Sequence, residues 1–289
     1  MKICRVLGNH RRVDYALFSD QGIVPLFQLM EMPPDDETIF GRIGEVASRV
    51  QSLDAGELAW QPRPRTLLPP VPAPEKIICI GLNYLDHAIE TGAEPPSEPV
   101  VFSKFNTALI GDGESIVLPR LSREVDYEAE LVVIVGSTAR HVSAGDAMSH
   151  VLGYSCGHDV SARDWQKGRP GGQWLLGKSF DTFAPLGPCL VTADEVQNPG
   201  ALAVKMHLGD EVVQSSTTAQ LIFDIPTLVS HLSSIMTLKA GDLIFTGTPP
   251  GVGAARKPPR YLRDGDLCTV EIEGIGKLTN RCIAEVAQD

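Results

Sequence analysis

The chain has 289 residues, 43% of them hydrophobic and 21% charged, enough to bury a substantial core in one large domain plus a small one. Its formal net charge of −11 works against attraction to nucleic-acid phosphates or anionic lipid, so neither a nucleic acid nor a membrane is an expected partner, and small molecules and copies of itself are. Six scattered cysteines (Cys4, Cys79, Cys156, Cys189, Cys268, Cys282) form no C-x-x-C pair, which argues against a zinc site or disulfide framework and for a reducing compartment. The opening MKICRVLGNHRRVDYALF has no apolar run with a small-residue cleavage site, and no segment reaches the length of a membrane span; the expectation is a cytoplasmic protein.

In chain order, KICRVL, VDYALF and GIVPLF read as short strands, followed by an amphipathic helix over 40–53. The stretch QPRPRTLLPPVPAPEK then packs six of the 22 prolines into 61–76, which blocks helix and sheet pairing and predicts an extended linker. The expected division is a small N-terminal α+β domain, 1–70, and a larger domain, 71–289. Beyond the linker the pattern is mostly β: KIICIGL, PVVFSKF, ESIVLP, AELVVIVG, GYSCGHDV, APLGPCLVT, LAVKMHLG, GDLIFTGT and DLCTVEIEG, with turn signals between. Helices are few. Ser143 and Asp146 have N-cap spacing before AMSHVLG, and Asp224-Ile225-Pro226 opens a helix with Leu228, Leu232, Ile235 and Met236 as its apolar stripe. This order favours a β-rich sandwich or roll over a parallel α/β sheet.

Five segments carry chemistry. In VDYEAELVVIV, Asp126, Glu128 and Glu130 alternate, so one continuous strand would project all three carboxylates from one face. Glu128 and Glu130 can then converge on a single hard cation, without which their repulsion is costly; on this pattern alone, a solvated strand end paired with lysines and arginines is the commoner arrangement. GHDVSARDWQ supplies a further carboxylate, Asp159, able to complete an oxygen ligand set of the kind Mg²⁺ or Mn²⁺ accepts, while Asp164 serves equally as a helix cap and Arg163 as its partner. GLNYLDHAIETG, 81–92, places His87 and Glu90 three apart on one helix face. That pair suits a general base held by a carboxylate, although by itself it is more often a surface contact. Its flank TGAEPPSEP predicts a mobile lid over 83–98. GQWLLGKSFDTF sets Lys178 among apolar and small residues, where it can neutralise an oxyanion or a substrate carboxylate. GTPPGVG, 247–253, offers backbone N–H groups and the Thr248 hydroxyl to an acid; alone it is an ordinary Pro-Gly loop.

The segments NYLDHAIE, VDYEAEL, GHDVSARDWQ, QWLLGKSFDTFAPLGP and GDLIFTGTPPGVG occur in this order, and together they resemble the fumarylacetoacetate hydrolase superfamily across 75–285. HDVSARDWQ and GTPPGVGAARKPPRYLRDGD look most like its fumarylacetoacetate hydrolase domain-containing group, which includes mitochondrial members. The resemblance implies a mixed β-sandwich roll, a homodimer, and one Mg²⁺ or Mn²⁺ per subunit held by Glu128, Glu130 and Asp159. It also implies a catalytic lid dyad of His87 and Glu90 together with Lys178, and substrate contacts from Tyr84, Arg163, Gln166 and Thr248. The expected function is metal-dependent hydrolysis or lysis of a C–C bond in a 2-oxo acid such as an acylpyruvate. The alternatives are an oxaloacetate tautomerase or decarboxylase and, from a different class, a non-catalytic metal-binding dimer.

Overall fold

The computed structural model describes residues 1–8 and 12–286, apart from the side chain of Ala55. Its strands are β1 (Lys2–Leu7), β2 (Val13–Ser19), β3 (Gly22–Pro25), β4 (Ile77–Gly81), β5 (Val100–Lys104), β6 (Leu109–Ile110), β7 (Ile116–Leu118), β8 (Val125–Asp126) and β9 (Ala129–Val135). They continue with β10 (Val151–His158), β11 (Ser161–Ala162), β12 (Ala184–Thr192), β13 (Ala203–Leu208), β14 (Glu211–Thr217), β15 (Leu243–Phe245), β16 (Leu267–Ile272) and β17 (Gly276–Ala284). The helices are α1 (Ile39–Gln51), α2 (Leu85–Thr91), α3 (Arg163–Gln166), α4 (Trp174–Lys178) and α5 (Ile225–Ile235).

A large sheet runs β3-β2-β1-β12-β10-β9-β15-β4-β5, with β6 beside β12, and a second runs β14-β13-β16-β17-β7. Parallel pairs (β15 with β4, β17 with β7) stand among antiparallel ones. This is the β-rich α+β, mixed β-sandwich roll that the sequence predicts. All seven residues of β9 are buried because both of its faces are covered. Leu131, Val133 and Val135 meet Val204, Met206, Val270 and Leu278 of the second sheet in the main core. Val132 and Ile134 point the other way, into a cluster with Ile77, Cys79, Leu243 and Phe245. Glu130 shares the parity of Val132, so strand alternation directs it to this second face.

The N-terminal strands extend the large sheet, Lys2 and Ile3 of β1 lying opposite Val191 and Leu190 of β12. They also gather an apolar cluster of their own, in which α1 packs Ile39 and Val46 against Tyr15, Leu17, Val24 and Leu26. The proline-rich stretch is extended yet packed: Leu67 and Val71 are fully buried, and Leu68 bridges to Arg5. Asp224 caps α5 through the Thr227 N–H at 2.9 Å, and Leu228 and Leu232 are buried. Ile235, expected on the same stripe, is instead exposed where the helix ends.

Candidate active site

The strand carrying the acidic alternation is interrupted. β8 ends at Asp126 and β9 begins at Ala129, so Tyr127 and Glu128 lie in a break and the three carboxylates do not share one face. The β9–β10 register sets Gly157 opposite Glu130 and His158 opposite Ala129, which carries Asp159 past the strand end to bond its N–H to Glu128 O at 3.0 Å. Glu128, Glu130 and Asp159 thereby offer buried oxygens that lie within 4.8 Å of one another. Asp126 is turned aside because its own oxygens are occupied: they accept from Arg163 Nε at 2.9 Å, Gly253 N at 2.7 Å and Ala254 N at 3.1 Å.

Three cations flank the cluster. Lys178 Nζ lies 2.7 Å from both Glu128 Oε2 and Asp159 Oδ2, and Arg163 pairs with Asp126 and Glu128. Lys104, fully buried, stands 2.7 Å from Asp159 Oδ1. Its hydrogens go elsewhere, to the carbonyls of Val160, Lys178 and Phe183, so Asp159 Oδ1 accepts no hydrogen bond. Burial drives the Lys178 ammonium down, but Asp159 and Glu128 outweigh it and hold the group above its ordinary range; Lys178 acts as a fixed positive charge rather than a base. Burial likewise raises Glu128, yet Arg163 and Lys178 overcome it and keep its carboxylate ionised. Among the described residues Glu130 has no such ion-pair partner, only the Gly247 N–H at 2.9 Å. Burial first, then the charges of Asp159 and Glu128, push its carboxyl well above the usual range. Four carboxylates thus face three cations, with one orphaned carboxylate oxygen and one acid under repulsion. An all-oxygen donor set in that condition fits a hard divalent cation, since each oxygen keeps lone-pair capacity.

His87 approaches from α2. Its Nδ1 is 3.0 Å from Glu90 Oε2, and its backbone N–H is held by Asp86 Oδ1 at 2.9 Å. Asn83 anchors the start of the helix by donating to Phe223 O and Thr246 O and accepting from Phe223 N. The glycine turn does bring N–H groups to acids, but the acids are the protein's own: Gly247 to Glu130, Gly251 to Glu90 at 2.9 Å, and Gly253 to Asp126. Thr248 gives its single proton to Ala129 O at 3.0 Å and accepts from Gln214 Nε2 at 2.9 Å, so it braces the turn against β9.

A cavity of about 300 Å³ joins these parts; His87, Glu128, Glu130, Asp159, Arg163, Gln166, Lys178 and Thr248 all line it. Glu90 stands behind His87. Tyr84, expected to touch substrate, is fully buried and does not line the cavity. Sequence reasoning missed Lys104, Gln214, Lys167 and the apolar wall of Phe102 and Trp174, whose rings meet edge-on at 5.5 Å. Gly81 makes room for that wall, since a Cβ there would lie 2.8 Å from the Trp174 ring. His158, beside Asp159, is no proton carrier: burial, then Lys104, pushes its imidazolium down to about 3.

The family described as fumarylacetoacetate (FAA) hydrolase C-terminal matches residues 76–283. "Oxaloacetate tautomerase FAHD2A, mitochondrial" of Bos taurus is 46% identical over 264 residues, covering 91% of this chain and 84% of its own. Among solved structures, fumarylacetoacetate hydrolase from Exiguobacterium antarcticum is 34% identical with a TM-score of 0.85, covering 99% of this chain and 100% of its own. Maleylpyruvate hydrolase from Sphingobium, in complex with manganese(II) ion and pyruvate, is 29% identical with a TM-score of 0.81 at the same coverage. The chain belongs to the fumarylacetoacetate hydrolase family, a family of enzymes. The relatives of Bos taurus, Homo sapiens and Rattus norvegicus are mitochondrial by name, which overturns the expectation of a cytoplasmic protein. That expectation rested on a missing apolar secretory run, whereas mitochondrial import uses amphipathic, Arg-rich segments.

Proposed function

We propose that this chain is an Mg²⁺- or Mn²⁺-dependent enzyme of 2-oxo acids whose principal reaction is keto–enol interconversion of oxaloacetate. The carrying observation is the pairing of one proton-handling group, His87 with Glu90, and one buried acidic cluster across a small cavity. The tautomerase relatives support the choice of reaction. Bound by Glu128, Glu130 and Asp159, a divalent ion would supply an electron sink for the carbonyl and carboxylate oxygens of the oxo acid. Glu90, an acceptor, assigns the His87 proton to Nδ1 and leaves the Nε2 lone pair for the cavity. His87 takes a proton from C3 at Nε2 and gives the same proton to the carbonyl oxygen, so the molecule is isomerised with no atom lost and the imidazole is restored. Lys178 and Arg163 keep Glu128 ionised, Lys178 also holds Asp159 in place at 2.7 Å, and Phe102 and Trp174 give the cavity an apolar wall.

A second reading, hydrolytic C–C cleavage of an acylpyruvate, has the maleylpyruvate hydrolase likeness in its favour. There His87 would activate water instead. Enol decay, acylpyruvate cleavage and oxaloacetate decarboxylation, followed on wild type, H87A and E128A, separate these reactions. Chelation should abolish turnover and Mg²⁺ or Mn²⁺ restore it. H87A should slow tautomerisation by roughly 10²-fold or more, the contribution of a positioned proton carrier, while decarboxylation should depend more on Glu128 than on His87. Enol decay no faster than in buffer would end the tautomerase reading, and faster acylpyruvate cleavage would move the assignment to the hydrolase. Rates no faster than in buffer for all three reactions, in wild type as in E128A, would leave only a non-catalytic protein. We also propose a homodimer, which a monomer mass by light scattering would exclude.

A further inference from the structure

One of the cations lining the cavity is not engaged by the acidic cluster. Arg163 is committed to Asp126, Glu128 and Gln166, and Lys178 to Glu128 and Asp159. Lys104 spends its three hydrogens on backbone carbonyls. Arg169, two residues beyond Lys167, is stacked on the Trp165 ring at 4.3 Å. Lys167 differs from all of these. It lines the same cavity, its side chain is exposed, and among the described residues it makes no ion pair and no side-chain hydrogen bond.

Its place on the chain sets its reach. The Lys167 N–H closes a turn onto Arg163 O at 2.9 Å, so its Cα lies about 6 Å further along α3 than that of Arg163. Arg163 grips Glu128 in the cluster; Lys167 therefore presents its ammonium one turn out from the end of the cavity that takes the oxo-acid group. A 2-oxo acid anchored at the cluster runs its C3 carbon toward His87. In a four-carbon dicarboxylate the second carboxylate follows directly on C3, and among the described residues the uncommitted cation lining the cavity is Lys167. A compact ammonium on a flexible four-carbon stem suits a carboxylate whose exact position changes as C3 passes between planar and tetrahedral.

We propose that Lys167 receives the distal carboxylate of the substrate and so selects dicarboxylate over monocarboxylate 2-oxo acids. This rests on reading the site as one for 2-oxo acids, but not on which reaction follows. Calorimetric binding of freshly prepared oxaloacetate and of 2-oxobutyrate, of equal carbon count but with an uncharged tail, tests it on the Mg²⁺-loaded full chain. Wild type should prefer oxaloacetate by about tenfold, the worth of one charge-assisted contact. K167Q should lose that preference while binding 2-oxobutyrate as before, and K167R should keep most of it. The wild-type preference should also shrink from low to high salt, because an exposed ammonium is screened. A preference that survives in K167Q, none in wild type, or an equal loss for both ligands would each overturn the proposal. If the preference holds and enol decay is not accelerated, the tautomerase reading fails and the role of Lys167 stands.

Discussion

Lys104 shows what one residue contributes at this site. A lysine with no solvent exposure survives because three carbonyls take its hydrogens and Asp159 takes its charge. Replacing it with methionine leaves those carbonyls without donors and Asp159 with Lys178 alone. Lys104→Met should therefore cost about 3–5 kcal/mol, the usual penalty for breaking a buried pair from one side, read as a lower urea midpoint with little change in slope. An unchanged midpoint would mean that Lys104 is not the counter-charge described. Lys104 was legible in principle: in PVVFSKF it shares the strand parity of Phe102, so alternation alone puts both on one face. The carboxylates were easier to find, because acids next to the apolar run LVVIV break the expected pattern. Their partition was not. Asp126 looks like Glu128 in sequence, and only the break at Tyr127 and the donors from Gly253 and Ala254 separate their roles.

Among the elements, the 247–253 turn matters most for the site. Gly251 sits at φ +103°, and a Cβ there would lie 2.1 Å from Val213 O; alanine is excluded both by conformation and by space. Gly251→Ala should displace the N–H that holds Glu90 and so loosen α2. The expected result is a clear fall in kcat with faster hydrogen exchange over 83–98, a segment that should otherwise gain protection when oxalate binds. Wild-type exchange in the variant would show that the turn does not hold α2. Periodicity identified α1, α2 and α5 to within a few residues. It passed over β14 and β17, EVVQSST and GKLTNRCIA, because both are half exposed and rich in polar residues; their strand state comes from pairing with β13 and β16.

On the scale of the molecule, the two sheets leave no thiol in contact with solvent: all six cysteines are free and buried. Burial carries the thiols of Cys4 and Cys189 up to about 12, which suppresses the nucleophilic thiolate. No cysteine should react with an alkylating reagent at mildly alkaline pH until the chain unfolds, and rapid labelling of native protein, located by mass spectrometry, would contradict this packing. The joining of β1 to β12 was not readable in advance, since nothing in KICRVL names a partner strand nearly two hundred positions away. The turn from 247 to 253 has one more consequence at this scale. A single backbone segment bonds both Glu130 of the acidic cluster and Glu90 behind His87, so cation binding at the first is expected to be linked to ordering of 83–98 around the second. Whatever factor a bound cation adds to that ordering, the ordering must return to cation affinity. The enzyme would then retain its metal more tightly with substrate enclosed than with the cavity open, and cation titrations with and without oxalate would measure that factor.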